Sequence, residues 1–155
     1  MAPNKRWINA VFDSFALYLK GGPQIRRKNC ELSMTLNVPE HKRMRLKQVR
    51  FRAFLDLPGK SNVRMTRNYQ FGREARSVNH TWNGAKRKII EMREPFNTSW
   101  SGCGERINMK VRTSIELKTR SDEASEVGVD SFNHYNHRDY RGERGWRFML
   151  DYMPC

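Results

Sequence analysis

Between residues 107 and 117 the apolar side chains Ile107, Met109, Val111, Ile115 and Leu117 take every second place but one, and Asn108, Lys110, Arg112, Ser114 and Glu116 stand between them. A period of two places one set on each face of a β-strand, whereas a helix would scatter both sets around its axis. The same alternation runs through Leu32, Met34, Leu36 and Val38, closed by Pro39, and through Val63, Met65, Tyr69 and Phe71, where Arg67 interrupts the apolar face. It returns in Trp146, Phe148, Leu150 and Tyr152, and the run INAVFDSFALYL (8–19) reads as a further strand. From residue 43 the pattern begins with Met44 and Leu46, slips by one near Lys47 and Gln48, and resumes as Val49, Phe51, Ala53, Leu55 and Leu57. Such a slip predicts a β-bulge, because otherwise half of the apolar set would face water. LPGKSN (57–62) is a turn, and 121–131 and 133–145 read as polar connectors. Six or more such strands with no alternating helices predict an all-β fold, a single antiparallel β-sandwich spanning residues 1–155.

The chain carries 30 Lys and Arg against 16 Asp and Glu, a formal charge of +14. All of the excess lies in residues 1–100, since 101–155 are balanced. A field of that sign attracts polyanions: an anionic surface, an acidic glycan or a nucleic acid. The bulge would hold Arg43, Arg45, Lys47, Arg50 and Arg52 on the solvent side of one long strand, and with Lys42 they form a candidate polyanion-binding stripe. Side chains on one face of a strand repeat every ~7 Å, a spacing comparable to that of backbone phosphates. The competing interpretation is a solvated edge strand guarded against aggregation by its charges. Arg26, Arg27 and Lys28, and likewise Lys86, Arg87 and Lys88, add basic clusters at what read as loop ends. Few aromatics interleave with the stripe, Phe51 and Phe54 alone, which gives base stacking little support.

Catalytic patterns are weak. There is no GxSxG, HExxH or phosphate-cradling glycine loop, so no cofactor and no metal is expected. His134, His137 and Asp139 form an HxxH on a polar loop without a third ligand at fixed spacing. His41 and His80 stand apart from any nucleophile, and the thiol in SGCG (101–104) reads as structural. Cys30, Cys103 and Cys155 include no CxxC, and from spacing alone either three free thiols or a disulfide is open, with Cys30 joined to Cys103 or to Cys155. Asn79 and Asn97 begin N-glycosylation sequons in apparent loops. No apolar run approaches the ~20 residues of a membrane-spanning helix, and no signal peptide stands at the N-terminus.

Several ordered stretches carry a family resemblance. VFDSFALYLKGGPQIRRKNCELSMTLNVPE (11–40), FLDLPGKSNVRMTRNYQFG (54–72), SWSGCG (99–104), INMKVRTSIEL (107–117) and the terminal YMPC resemble, in order and over about residues 8–155, a secreted fungal and bacterial family catalogued as domain of unknown function 4360. The resemblance implies a secreted, disulfide-bonded β-sandwich and transfers no functional residue. Family members carry a signal peptide and a further cysteine in a Gly-Cys-Pro segment, both missing here. That fits a mature or truncated fragment, and the odd cysteine count leaves one thiol free or paired outside the chain.

Three functional readings follow. The first is a secreted, non-enzymatic binding or effector-type protein whose basic face attaches to an anionic surface or polyanion. The second is an intracellular nucleic-acid-binding or coat-like protein, located in the cytoplasm. The third is a hydrolase or nuclease toxin using His134, His137 and Asp139.

Overall fold

The computed structural model describes residues 7–10, 15–129 and 145–155. Within them the chain forms ten strands and no helix: β1 (Trp7–Ala10), β2 (Ala16–Leu19), β3 (Gln24–Asn37), β4 (Lys42–Leu57), β5 (Ser61–Phe71), β6 (Glu74–Asn83), β7 (Lys86–Pro95), β8 (Arg106–Thr119), β9 (Ser125–Gly128) and β10 (Gly145–Pro154). They make two antiparallel sheets. One has the order β1-β10-β4-β9-β2, with β7 also paired to β4, and the other has the order β3-β8-β5-β6. A single apolar cluster between them takes Leu46, Val49 and Phe51 from one sheet and Val63, Met65 and Leu117 from the other. This is the β-sandwich that the alternation predicts. The alternation survives residue by residue in β8, where Ile107, Met109, Val111, Thr113, Ile115 and Leu117 are buried and Asn108, Lys110, Arg112, Ser114 and Glu116 face out.

The predicted bulge is present. Gln48 pairs with Met149 and Leu46 with Leu150, so Lys47 is the extra residue of β4. Met44 and Leu46 before the bulge, and Val49, Phe51, Ala53, Leu55 and Leu57 after it, are all buried. The basic residues of β4 therefore share the outer face on both sides of the bulge.

Three expectations need correction. β4 is not an edge strand: β10 and β9 pair along one side of it and β7 along the other. Beyond β7 the chain continues down that side, with Thr98 N donating to Leu46 O at 3.0 Å and Ser101 N to Met44 O at 2.9 Å. Edge protection therefore does not account for the arginines of β4. The run 8–19 holds two strands rather than one, because β1 pairs with β10 while β2 pairs with β9. The stretch 121–131 contains β9, and the connector 133–145 lies outside the described residues but for Gly145, the first residue of β10.

Arg67 does face the core. It is fully buried, and its Nη2 meets Oε1 of Glu94, which reaches inward from β7 in the opposite sheet. Its guanidinium also lies over the Phe51 ring, 4.8 Å from the centroid. Beside this pair, burial pushes the Tyr69 hydroxyl well above the ordinary phenol range. The Arg67 charge opposes that rise and Glu94 adds to it.

Candidate functional site

The outer face of β4 carries Arg43, Arg45, Lys47, Arg50 and Arg52 in one line, as the bulge requires. The neighbouring strands supply counter-charges to its middle. Glu91 of β7 sits opposite Arg52, and its carboxylate meets Arg52 Nη2 at 2.9 Å, Arg50 Nε at 3.2 Å and Arg93 Nε at 3.5 Å. One carboxylate thus serves three guanidiniums. Burial pushes the Glu91 carboxyl up, but the Arg52 hydrogen bond and the charges of Arg52, Arg50 and Arg93 outweigh it and hold the group below the usual carboxylate range. Asp151 of β10 pairs with Arg45 at 3.1 Å, and the same guanidinium lies 4.8 Å from the ring centroid of Trp100. Arg147, opposite Arg50, stacks over Trp7 at 4.1 Å. Lys42, Arg43 and Lys47, nearer the start of the strand, make no ion pair with a described residue.

The other predicted cations are dispersed. Arg26, Arg27 and Lys28 belong to strand β3 rather than to a loop end. There Arg27 pairs with Glu116 at 2.6 Å and Lys28 Nζ donates to Ala16 O at 3.5 Å. Lys86, Arg87 and Lys88 open β7. The structure does not gather these residues with the β4 stripe into one site. The outer face of the second sheet is cationic too, with Arg64, Lys110, Arg112 and Lys118, partly offset there by Glu31 and Glu116.

A second concentration of charge, which sequence reasoning missed, lies at the end of the sandwich where β4 turns into β5. Lys60, Lys118 and Arg120, together with Ser61, Asn62, Asn83 and Gly84, line a cleft of about 610 Å³. No carboxylate is among those residues, and Lys60, Lys118 and Arg120 make no ion pair with a described residue. Backbone geometry brings them together. Ser61 pairs with Thr119 in the β5–β8 ladder, and Arg120 N donates to Lys60 O at 2.9 Å. Lys60 sits at φ +61° in the Pro58-Gly59 turn, and Gly84 N donates to Ser61 O at 2.8 Å. Any side chain at Gly84 would collide with Pro58 O, so this close approach of two turns requires glycine.

The cysteines pair as Cys103–Cys155, neither of the two pairings left open by spacing. Both of those involved Cys30, which lies on β3 of the second sheet as a half-buried free thiol. Burial raises its pKa, with Lys28 opposing, so the thiol is held protonated. Cys103 and Cys155 instead converge beside the start of β4, where Gly104 N donates to Lys42 O and Cys155 N to His41 O. Asn79 is not in a loop. It lies on β6, where its side-chain oxygen accepts from Arg64 Nε and Thr66 Oγ1, both at 3.3 Å. Asn97 is in the loop after β7.

His134, His137 and Asp139 lie outside the described residues. His80 stacks on Trp82 at 5.6 Å, and His41 occupies the turn before β4. Among the described residues no group of three or more His, Cys, Asp or Glu is arranged to hold a metal, and no helix is long and apolar enough to cross a membrane.

The family model described as Domain of unknown function (DUF4360) matches residues 1–141. The chain belongs to this family. The match takes in four of the five stretches that carried the resemblance and stops short of the terminal YMPC. No curated protein matches the sequence.

Proposed function

We propose that this DUF4360 protein is an extracellular, non-enzymatic binding protein that attaches to an acidic glycan or similarly anionic surface. The observation that carries this reading is the basic cleft, where Lys60, Lys118 and Arg120 converge without a carboxylate. Like charges held together in the folded state repel one another, and an arriving sulfate or carboxylate group relieves that repulsion. Lys42, Arg43 and Lys47 extend the attraction along the molecule, and the formal charge of +14 speeds encounter at low salt.

The Cys103–Cys155 disulfide favours an oxidising compartment, and with it an acidic glycan over nucleic acid. The test is retention of the oxidised full chain on immobilised heparin at 0.15 M salt, compared with retention on immobilised double-stranded DNA. Retention on heparin that falls sharply in a Lys60→Ser, Lys118→Ser, Arg120→Ser variant supports the proposal. No retention, or stronger retention on DNA than on heparin, overturns it.

A further inference from the structure

At the opposite end of the second sheet from the basic cleft lies another cavity, of about 680 Å³, within the range of roughly 300–1,000 Å³ typical of small-ligand sites. Its floor is the start of β8, Arg106–Asn108. One wall is the β5–β6 turn, Phe71–Glu74, and the other is the loop Ser99–Ser101. We propose that this cleft binds an uncharged oligosaccharide, with Trp100 as the platform for a sugar ring.

The walls are braced before any ligand arrives. Glu74 accepts from Ser99 N at 2.8 Å and from Ser99 Oγ at 3.3 Å, tying the turn to the loop. Gly72 N donates to Asn108 O at 2.9 Å, tying the turn to the floor. Met44 N donates to Ser101 Oγ at 2.9 Å, and Gly102 N donates to Glu105 Oε2 at 2.6 Å. The Cys103–Cys155 bridge fastens the loop two residues further on. A cleft built this way loses little conformational freedom on binding.

Its chemistry selects the ligand. Trp100 keeps 36% of its surface exposed and, of the exposed aromatics among the described residues, Trp7, Tyr18 and Trp100, it is the one that lines this cavity; Arg45 packs against its ring. A flat indole beside polar groups suits a ligand with one face of C–H bonds and an edge of hydroxyls, which describes a pyranose. Gln70 and Asn108 line it with amides that each have one group engaged within the protein, Gln70 Nε2 donating to Gly72 O at 3.3 Å and Asn108 Oδ1 accepting from Thr35 Oγ1 at 3.2 Å. This leaves the Gln70 oxygen to accept and the Asn108 nitrogen to donate; Arg73 and Arg106 offer donors, while Glu74 and Glu105 are engaged with backbone N–H groups. Arg73 and Arg106 balance Glu74 and Glu105, so this cleft is neutral within a strongly cationic protein. Electrostatics therefore favours an uncharged guest here and leaves anions to the other end.

The test uses the oxidised full chain and four probes, the hexasaccharides of β-1,4-linked N-acetylglucosamine, β-1,3-glucose, β-1,4-glucose and α-1,6-mannose, titrated by calorimetry with heparin hexasaccharide as a fifth arm. At least one neutral hexasaccharide is expected to bind with a Kd below about 1 mM. Trp100→Ala is expected to weaken it by about tenfold or more, with Trp100→Phe recovering most of the affinity. Asn108→Ala, which leaves the loop intact, is expected to weaken it by several-fold, while Lys60→Ser, Lys118→Ser, Arg120→Ser leaves it unchanged. The proposal is overturned if no neutral hexasaccharide binds, if Trp100→Ala and Asn108→Ala both bind as the parent does, or if heparin hexasaccharide alone shows a Trp100-dependent interaction.

Discussion

The middle of β4 and the cleft at the β4–β5 turn use the same kind of side chain in opposite ways. On β4, Arg45, Arg50 and Arg52 lie against a rigid sheet with Asp151 and Glu91 placed within reach, so much of their charge is spent inside the protein. At the turn, Lys60 before β5 and Lys118 and Arg120 at the end of β8 project from two strand ends, and no carboxylate lines the space between them. A row of arginines in sequence is thus a poor guide to available charge. What matters is whether the neighbouring strands bring acids into register.

The largest test separates the two ends of the molecule. Replacing Cys103 and Cys155 by Ser removes a cross-link spanning 52 residues, which should cost about 4 kcal/mol in the chain-entropy account, measured by urea denaturation. The bridge lies beside the start of β4, so heparin retention of the protein that stays folded should persist. Loss of retention in folded protein would break the comparison.

The Lys60→Ser, Lys118→Ser, Arg120→Ser variant comes next. It should elute from heparin at markedly lower salt, with the slope of log affinity against log salt falling by about one for each cation removed. Its stability should change by no more than about 0.5 kcal/mol, because no described contact of these side chains is lost.

The matching change on β4, Arg50→Ser with Arg52→Ser, should do the reverse. It should cost about 1 kcal/mol in stability from broken, half-exposed ion pairs and move heparin elution only slightly. Elution that shifts as far as in the cleft variant would show the β4 arginines to be as available as the lysines. Glu91→Gln sharpens the point, since it releases Arg50, Arg52 and Arg93 and should raise the salt needed for elution.

The smallest effect is the response to pH. The Glu91 carboxyl is held lower in the folded state than the ~4.3 of an unfolded glutamate. Its contribution to stability is therefore complete above that value and is lost as pH falls through the lower, folded value. In the same window β4 sheds its counter-charge, so the salt needed to elute the protein from heparin should rise as pH falls below about 4. Glu91→Gln should show a smaller rise than the parent, and an equal rise would remove Glu91 as the cause.

Much of the architecture was readable in the residue pattern. The alternation in β8 and β5 and the slip at Lys47–Gln48 map directly onto buried faces and a bulge, because apolar side chains on a sandwich have only one place to go. β6 and β7 were not readable. β6 is an outer strand of its sheet and mostly exposed, and β7 spends one inward position on Glu94, so neither shows a clean apolar face. The central place of β4 was hidden because a charged strand between two neighbours looks the same in sequence as a charged strand at an edge. The basic cleft was hidden for a different reason. Lys60 and Arg120 are far apart along the chain, and only the Ser61–Thr119 register makes them neighbours. The disulfide depended in the same way on where β10 ends, which spacing does not specify.

Arg67 and Glu94 give the interior a lock-and-key. Each belongs to a different sheet, and among the described residues the only counter-ion either meets is the other. Sliding one layer past the other by a single residue pair would strand both ions in oil, at a cost of several kcal/mol. The two layers therefore have one mutual alignment rather than a family of nearly equivalent ones, and the cavity between the β5–β6 turn and the Ser99–Ser101 loop, whose walls come from both layers, inherits its shape from it.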